Sequence, residues 1–332
     1  MQGSHRQKSE ELMARSLVWD AHSGFMPHPK ADLNNLSIWR DAGVNYLSID
    51  VGFDVLKWED CIRTIAAFRK WIADHSDEYI IVHNVHDIHQ AHRDGKLAIT
   101  FDLEGANVLD GRVEMVELYH SLGCRQMLLA YNRNNLAAGG CHDEDSGLTY
   151  FGREVVDELN RLGMFVDLTH CGLKTTMDIL EHTTRPVIYS HSNPRALWDH
   201  ERNIADEQIK ACAETGGLIS VVGIGRFMGN DTSSARLADG ICHIADLVGT
   251  DHVGIGLDYA FKVDVPEAHD ILARHPEYWP LSQGYGGAPS TYVAPGQLVE
   301  VTEALLTRGM SERDVTGILG GNFLRLAAEI WR

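Results

Sequence analysis

Six polar residues of metal-binding type lie just past the ends of short apolar runs. Asp20 and His22 close the first run, Glu104 follows Phe101-Asp102-Leu103, and His170 follows Val166-Asp167-Leu168-Thr169. His191 follows Val187-Ile188-Tyr189-Ser190, and Asp258 follows Gly254-Ile255-Gly256-Leu257. Imidazole together with carboxylate suits zinc or a similar divalent ion, and a catalytic site leaves one coordination position open for water. Such an ion can generate hydroxide near neutral pH. A single strand-end histidine more often satisfies backbone groups or faces water, so the weight rests on three of them recurring with carboxylates at corresponding places.

The elements that must position these groups read as alternating strand and helix. Apolar, β-branched runs predict strands over 17–20, 46–51, 97–103, 126–131, 164–168, 187–190, 218–221 and 252–256, with a weaker ninth at 79–82. Helical periodicity falls between them over 58–74, 113–122, 151–162, 173–181, 207–214 and 236–248. Gly163 and Gly216 sit where helices end, each able to take the left-handed cap conformation. Eight strands joined by helical crossovers predict a (β/α)8 TIM-like barrel with extra C-terminal helices at 297–308 and 312–331; a doubly wound open sheet is the alternative. In a parallel barrel all strand ends share one rim, which is where the polar residues above fall. The stretch 261–293, rich in Gly, Pro, Tyr and His, reads as a long loop shaping a substrate pocket.

Composition narrows the partners. Twenty-nine Lys and Arg against 47 Asp and Glu give a net charge of −18, which argues against nucleic acid. The 332 residues, 44% of them hydrophobic, can bury a sizeable core, and the reading is one barrel domain over 1–332 with a polar N-terminal extension at about 1–14. No run approaches the roughly 18 apolar residues needed to cross a bilayer, and the polar start does not resemble a signal peptide, so a cytoplasmic location with no membrane partner is expected. The six cysteines form no C-x-x-C pair and read as free thiols.

Taken in order, Trp19-Asp20-Ala21-His22, Phe101-Asp102-Leu103-Glu104-Gly105, Val166-Asp167-Leu168-Thr169-His170, Ile188-Tyr189-Ser190-His191-Ser192, Arg202-Asn203-Ile204-Ala205-Asp206, Gly254-Ile255-Gly256-Leu257-Asp258 and Gly320-Gly321-Asn322-Phe323 resemble the membrane (renal) dipeptidase family of the amidohydrolase superfamily. The resemblance runs from about Leu17 to Trp331. It implies a two-zinc barrel that hydrolyses dipeptides, with a D-residue at the C-terminal position left open. It further implies that His22 binds the first metal, that Glu104 bridges both, and that His170 and His191 hold the second. Asp258 matches the carboxylate that carries a proton from the attacking water to the leaving amine, and Arg202 the arginine that receives the substrate carboxylate. The partner implied is a small dipeptide or related amide, and a homodimer is compatible with the family.

Two positions depart from that pattern. The family has an aspartate two residues after its first histidine, as a ligand of the first metal; this chain has Gly24. One zinc ion instead of two, a substitute ligand such as His28, or Asp258 acting as ligand are the readings this leaves. At the end of the fourth strand, where many members carry a histidine, this chain has Tyr131, whose phenol can donate to a developing oxyanion or serve only in packing.

Other features are less informative. His83, His86, His89 and His92 recur at three-residue spacing, as a solvated helix face does. Gly223-Ile224-Gly225-Arg226 is no dinucleotide fingerprint, and no Walker motif, G-x-S-x-G elbow or H-E-x-x-H occurs. Metal-dependent hydrolysis of a dipeptide is the leading reading. A barrel enzyme acting on another bond, such as a lyase, isomerase or lactonase, and a non-catalytic barrel that has lost its first metal site are the alternatives.

Overall fold

The computed structural model describes residues 2–286 and 289–331. Nine parallel strands form one sheet: β1 (Trp19–Ser23), β2 (Tyr46–Phe53), β3 (Tyr79–Ile81), β4 (Leu97–Glu104), β5 (Cys124–Leu128), β6 (Phe165–Asp167), β7 (Ile188–Tyr189), β8 (Leu218–Val221) and β9 (Val253–Ile255). Eight run in the order β1-β2-β4-β5-β6-β7-β8-β9, while β3 pairs only with residues 97–99 of β4, below the stretch that β5 takes from Phe101 onward. The barrel closes at its C-terminal rim, where the Asp258 N–H donates to the His22 carbonyl at 3.1 Å and the Gly24 N–H to the Tyr259 carbonyl at 3.1 Å.

Period-two alternation decides what faces inward. Along β4 the inward face reads Ala98, Thr100, Asp102, Glu104, while Ile99, Phe101 and Leu103 join the outer core under the helices. Along β2 it reads Tyr46, Ser48, Asp50. The lower interior is apolar and aromatic, with Trp19 stacked on Tyr46 and on Phe323, and it is sealed by the helix Asn322–Ile330. The upper interior is therefore where the polar residues collect.

Several boundaries differ from the sequence expectation. The expected polar extension at 1–14 is a helix, Gln2–Arg15, that buries Leu12 and Met13 and packs against Leu298–Thr307. The expected loop at 261–293 contains a helix, Pro266–Arg274, and short turns; residues 287 and 288 of it, like Met1 and Arg332, lie outside the described residues. The single helix expected over 312–331 is broken into Glu312–Thr316 and Asn322–Ile330. The break lies where Gly320 passes so close to β1 that a Cβ there would stand 2.4 Å from the Leu17 carbonyl oxygen.

Candidate metal centre and substrate cavity

His22 reaches the barrel interior through an irregularity in β1. Asp20 pairs with Leu47 but Ser23 with Ile49, so three steps on β1 match two on β2. This extra residue lets Ala21 and His22 both turn inward, whereas strict alternation would send His22 to the helix layer. Asp20 accordingly points outward, where it accepts from Trp39 Nε1 and from the Leu257 N–H, both at 2.8 Å. It is brought to the rim but not to the centre.

Glu104 ends β4, and its Oε1 lies 3.5 Å from His22 Nε2, 3.3 Å from His170 Nε2 and 3.4 Å from His191 Nε2. The two latter nitrogens are 3.2 Å apart. Asp258 completes the group, with Oδ1 3.7 Å from His22 Nε2 and Oδ2 3.9 Å from His191 Nε2. Two sets have metal-binding proximity: Glu104, His170 and His191, and His22, His191 and Asp258, all buried. His170 and Asp258 have positive φ, 67° and 53°, an uncommon and strained conformation for non-glycine residues that clusters at functional sites.

The imidazoles are oriented from behind. His22 Nδ1 faces Asp102 Oδ1 at 3.0 Å, and His170 Nδ1 faces Asn132 Oδ1 at 2.6 Å. Both oxygens only accept, so each Nδ1 carries a hydrogen; His170 turns its Nε2 lone pair to the centre, and His22 would do so once a cation displaces the Nε2 proton. Ser48 Oγ donates to Asp102, and Asn132 Nδ2 donates to the Tyr278 carbonyl, which fixes the amide's orientation. Ser190 Oγ stands 2.7 Å from His191 Nδ1.

Burial dominates the electrostatics. It pushes Glu104 well above the usual carboxylate range, against the pull of His22, and raises Asp258 to about 6. It pushes His170 and His191 well below the usual imidazole value, helped by the charges of Arg202 and His22. Burial opposes charge on His22 too, but Asp102, Glu104 and Asp258 outweigh it and hold that imidazole well above its usual value. Glu104 Oε1 is buried with no hydrogen-bond partner although three nitrogens surround it. A buried polar oxygen without a hydrogen bond is costly, and a divalent cation among these donors would satisfy it and favour its ionised form, so the residues fit a metal.

Gly24 is where a side chain is excluded: a Cβ there would lie 1.8 Å from Asp258 Oδ1. The Asp258 carboxylate thus occupies the place that a residue-24 side chain would take. His28, the other substitute ligand considered, belongs to neither set; it lines a neighbouring groove with Lys30, Lys57 and Arg63. The strip of His83, His86, His89 and His92 likewise forms no metal group among the described residues, and the first three are exposed on or beside the helix Val85–Arg93.

A cavity of about 720 Å³ opens above Glu104, His170 and Asp258. Its walls are largely apolar and aromatic, including Phe25, Phe53, Tyr131, Phe227, Trp279 and Tyr292. The Tyr131 hydroxyl accepts from Trp279 Nε1 at 3.2 Å, which leaves its own hydrogen free, and burial raises its pKa so that it stays protonated. Arg202 stands elsewhere. It is 2% exposed, donates from Nη1 to Ser192 Oγ at 3.1 Å and from Nη2 to the His191 carbonyl at 2.8 Å, and borders a smaller cavity of about 180 Å³ beside His170. The one Lys or Arg among the described residues lining the larger cavity is Arg226, stacked 4.4 Å over Tyr285. Arg226, Asn132, Asp102 and Asp50 carry no site assignment from sequence. For Asp102 the signal was present: it stands two residues before Glu104 on the same strand face.

Residues 10–273 match the model of the membrane dipeptidase family, peptidase family M19. The chain is 28% identical over 277 residues to the dipeptidase tcpJ of Claviceps purpurea (strain 20.1), covering 82% of this chain and 60% of that protein. It is 27% identical over 303 residues to the dipeptidase aclJ of Aspergillus oryzae (strain ATCC 42149 / RIB 40), covering 89% and 66%. The chain therefore spans less than two thirds of the length of these curated relatives. The crystal structure of an amidohydrolase from Pseudomonas aeruginosa superposes with a TM-score of 0.87 at 30% identity, over 97% of this chain and 99% of that one.

Proposed function

The chain belongs to the membrane dipeptidase family, peptidase family M19, and from that premise we propose that it is a metal-dependent hydrolase of the peptide bond of dipeptides. The observation that carries this reading is the unpaired, buried Glu104 Oε1 with three imidazole nitrogens between 3.3 and 3.5 Å from it, at the floor of a cavity of about 720 Å³. Glu104, His170 and His191 would hold one ion, and His22 with Asp258 offers a second place, zinc being the ion that this donor set suits. A divalent ion bound there supplies Lewis acidity, lowering the pKa of water and polarising the scissile carbonyl.

The chain's own residues supply the rest. Asp258, with its carboxylate oxygens 3.7 Å from His22 Nε2 and 3.9 Å from His191 Nε2, can take a proton from the attacking water and pass it to the leaving amine. The free hydrogen of the Tyr131 hydroxyl can be donated to the oxyanion that develops on the carbonyl. The substrate carboxylate falls to Arg226 or Arg202. Arg226 already lines the cavity, whereas Arg202 would have to exchange its bonds to Ser192 and His191. Lining of this kind suits a dipeptide with an apolar side chain.

The test is hydrolysis of a dipeptide panel by zinc-loaded protein and by protein stripped with a chelator. Turnover that disappears on stripping and returns with zinc supports the reading. Full metal uptake without dipeptide turnover would favour a reaction on another bond, and no uptake would favour a non-catalytic barrel.

A further inference from the structure

Asp50 is a buried carboxylate that neither the metal sets nor the chemistry above employs. It stands on the inward face of β2, two residues beyond Ser48 and opposite Asp102 in register, and is 3% exposed. It lines the same cavity as Glu104, Tyr131 and Asp258. Its one hydrogen bond is received by Oδ1 from the Gly52 N–H at 2.8 Å, and it has no ion-pair partner among the described residues. It belongs to neither set of candidate metal ligands. A carboxylate can accept about four hydrogen bonds, so most of its capacity is unused.

Phe53, three residues on, pairs with Glu104 and adds an apolar wall to the same cavity. In such surroundings an unpaired carboxylate is held at a cost that a cation entering with the ligand would offset. The cavity lining also holds a guanidinium, Arg226, so beside the metal centre it offers one carboxylate, Asp50, and one cation, the pattern that a zwitterion matches.

We propose that Asp50 receives the protonated α-amino group of the substrate, so that the enzyme takes dipeptides and related amides with a free amine in preference to N-acylated ones. This rests on the dipeptidase reading above. A role in holding metal is the competing account of Asp50, and it differs in what it leaves bound.

The experiment compares L-alanyl-L-phenylalanine with its N-acetyl derivative on zinc-loaded wild type, Asp50→Asn and Asp50→Glu, with bound metal measured on each sample. Wild type should prefer the free amine. Asp50→Asn should lose roughly 10- to 100-fold in kcat/KM on the free dipeptide, the size expected of one charged hydrogen bond, with little change on the acetylated one and undiminished metal. Asp50→Glu, which keeps the charge, should retain part of the preference. Equal losses on both substrates, no loss on either, or loss of metal in Asp50→Asn overturns the inference while the dipeptidase reading stands. A wild type that cleaves no dipeptide removes that reading and the inference with it.

Discussion

Substituting Gly24→Ala displaces Asp258 without altering its chemistry. The new methyl carbon would lie 1.8 Å from Asp258 Oδ1, 2.9 Å from the Asp258 carbonyl oxygen and 3.0 Å from its Cγ. Ordinary contact begins near 3.4 Å, so the carboxylate oxygen must move by about 1.6 Å, the difference between 3.4 and 1.8. Backbone relief is restricted on both sides of the closure, because the Gly24 N–H is bonded to Tyr259 and the Asp258 N–H to His22. Metal–oxygen bonds tolerate only a few tenths of an ångström around about 2.1 Å, so a shift of this size takes Asp258 out of reach of an ion beside His22. A misplacement of about 1 Å at a reacting group costs on the order of 100-fold in rate. Gly24→Ala should therefore lower kcat for a dipeptide by about 100-fold or more. It should weaken binding of the ion beside His22 while the ion at Glu104, His170 and His191 remains. Overpacking of this kind costs roughly 1–3 kcal/mol of stability, which a thermal melt of metal-free protein separates from the metal effect. Metal analysis with steady-state kinetics is the assay. Full activity with undiminished metal would refute the argument that Asp258 works from the place Gly24 leaves open.

The other predictions concern single groups. Tyr131→Phe should lower kcat by about 10- to 1,000-fold with little change in KM, since it removes one oxyanion donor and keeps the ring against His170; an equal rise in KM would instead indicate ground-state binding. If Arg226 receives the substrate carboxylate, Arg226→Ala raises KM for dipeptides far more than for their carboxyl-amidated analogues, and the same comparison on Arg202→Ala assigns the role to Arg202 should the selective effect appear there. Burial lowers the His142 pKa from 6.5 to about 4, against the pull of Glu201. A lowered folded-state value means the neutral imidazole stabilises the fold fully above pH 6.5 and that this contribution is lost as pH falls toward 4. Urea midpoints measured across that range should fall less steeply for His142→Gln than for wild type, and parallel curves would remove the assignment.

Much of this architecture is legible in the chain because its signals are local and repeated. The apolar run at 97–103 marks the strand that ends at Glu104, and the helix 58–74 is read to the residue. What is not legible depends on pairing. The extra residue in β1 that turns His22 inward exists only against β2, and the occupation of Gly24's side-chain place by Asp258 joins residues 234 positions apart. Asn132 and Asp50 are ordinary polar residues until the fold sets one against His170 and the other in the cavity. The helix Gln2–Arg15 reads as polar because only a narrow stripe, with Leu12 and Met13, is buried.

The metal centre is tested by the metal content and dipeptidase activity of His170→Asn beside wild type, each reconstituted with zinc. Wild type should hold at least one ion tightly per chain and need it for turnover, and the variant should lose both. A variant that keeps its ion and its rate would contradict the assignment of Glu104, His170 and His191 as the centre.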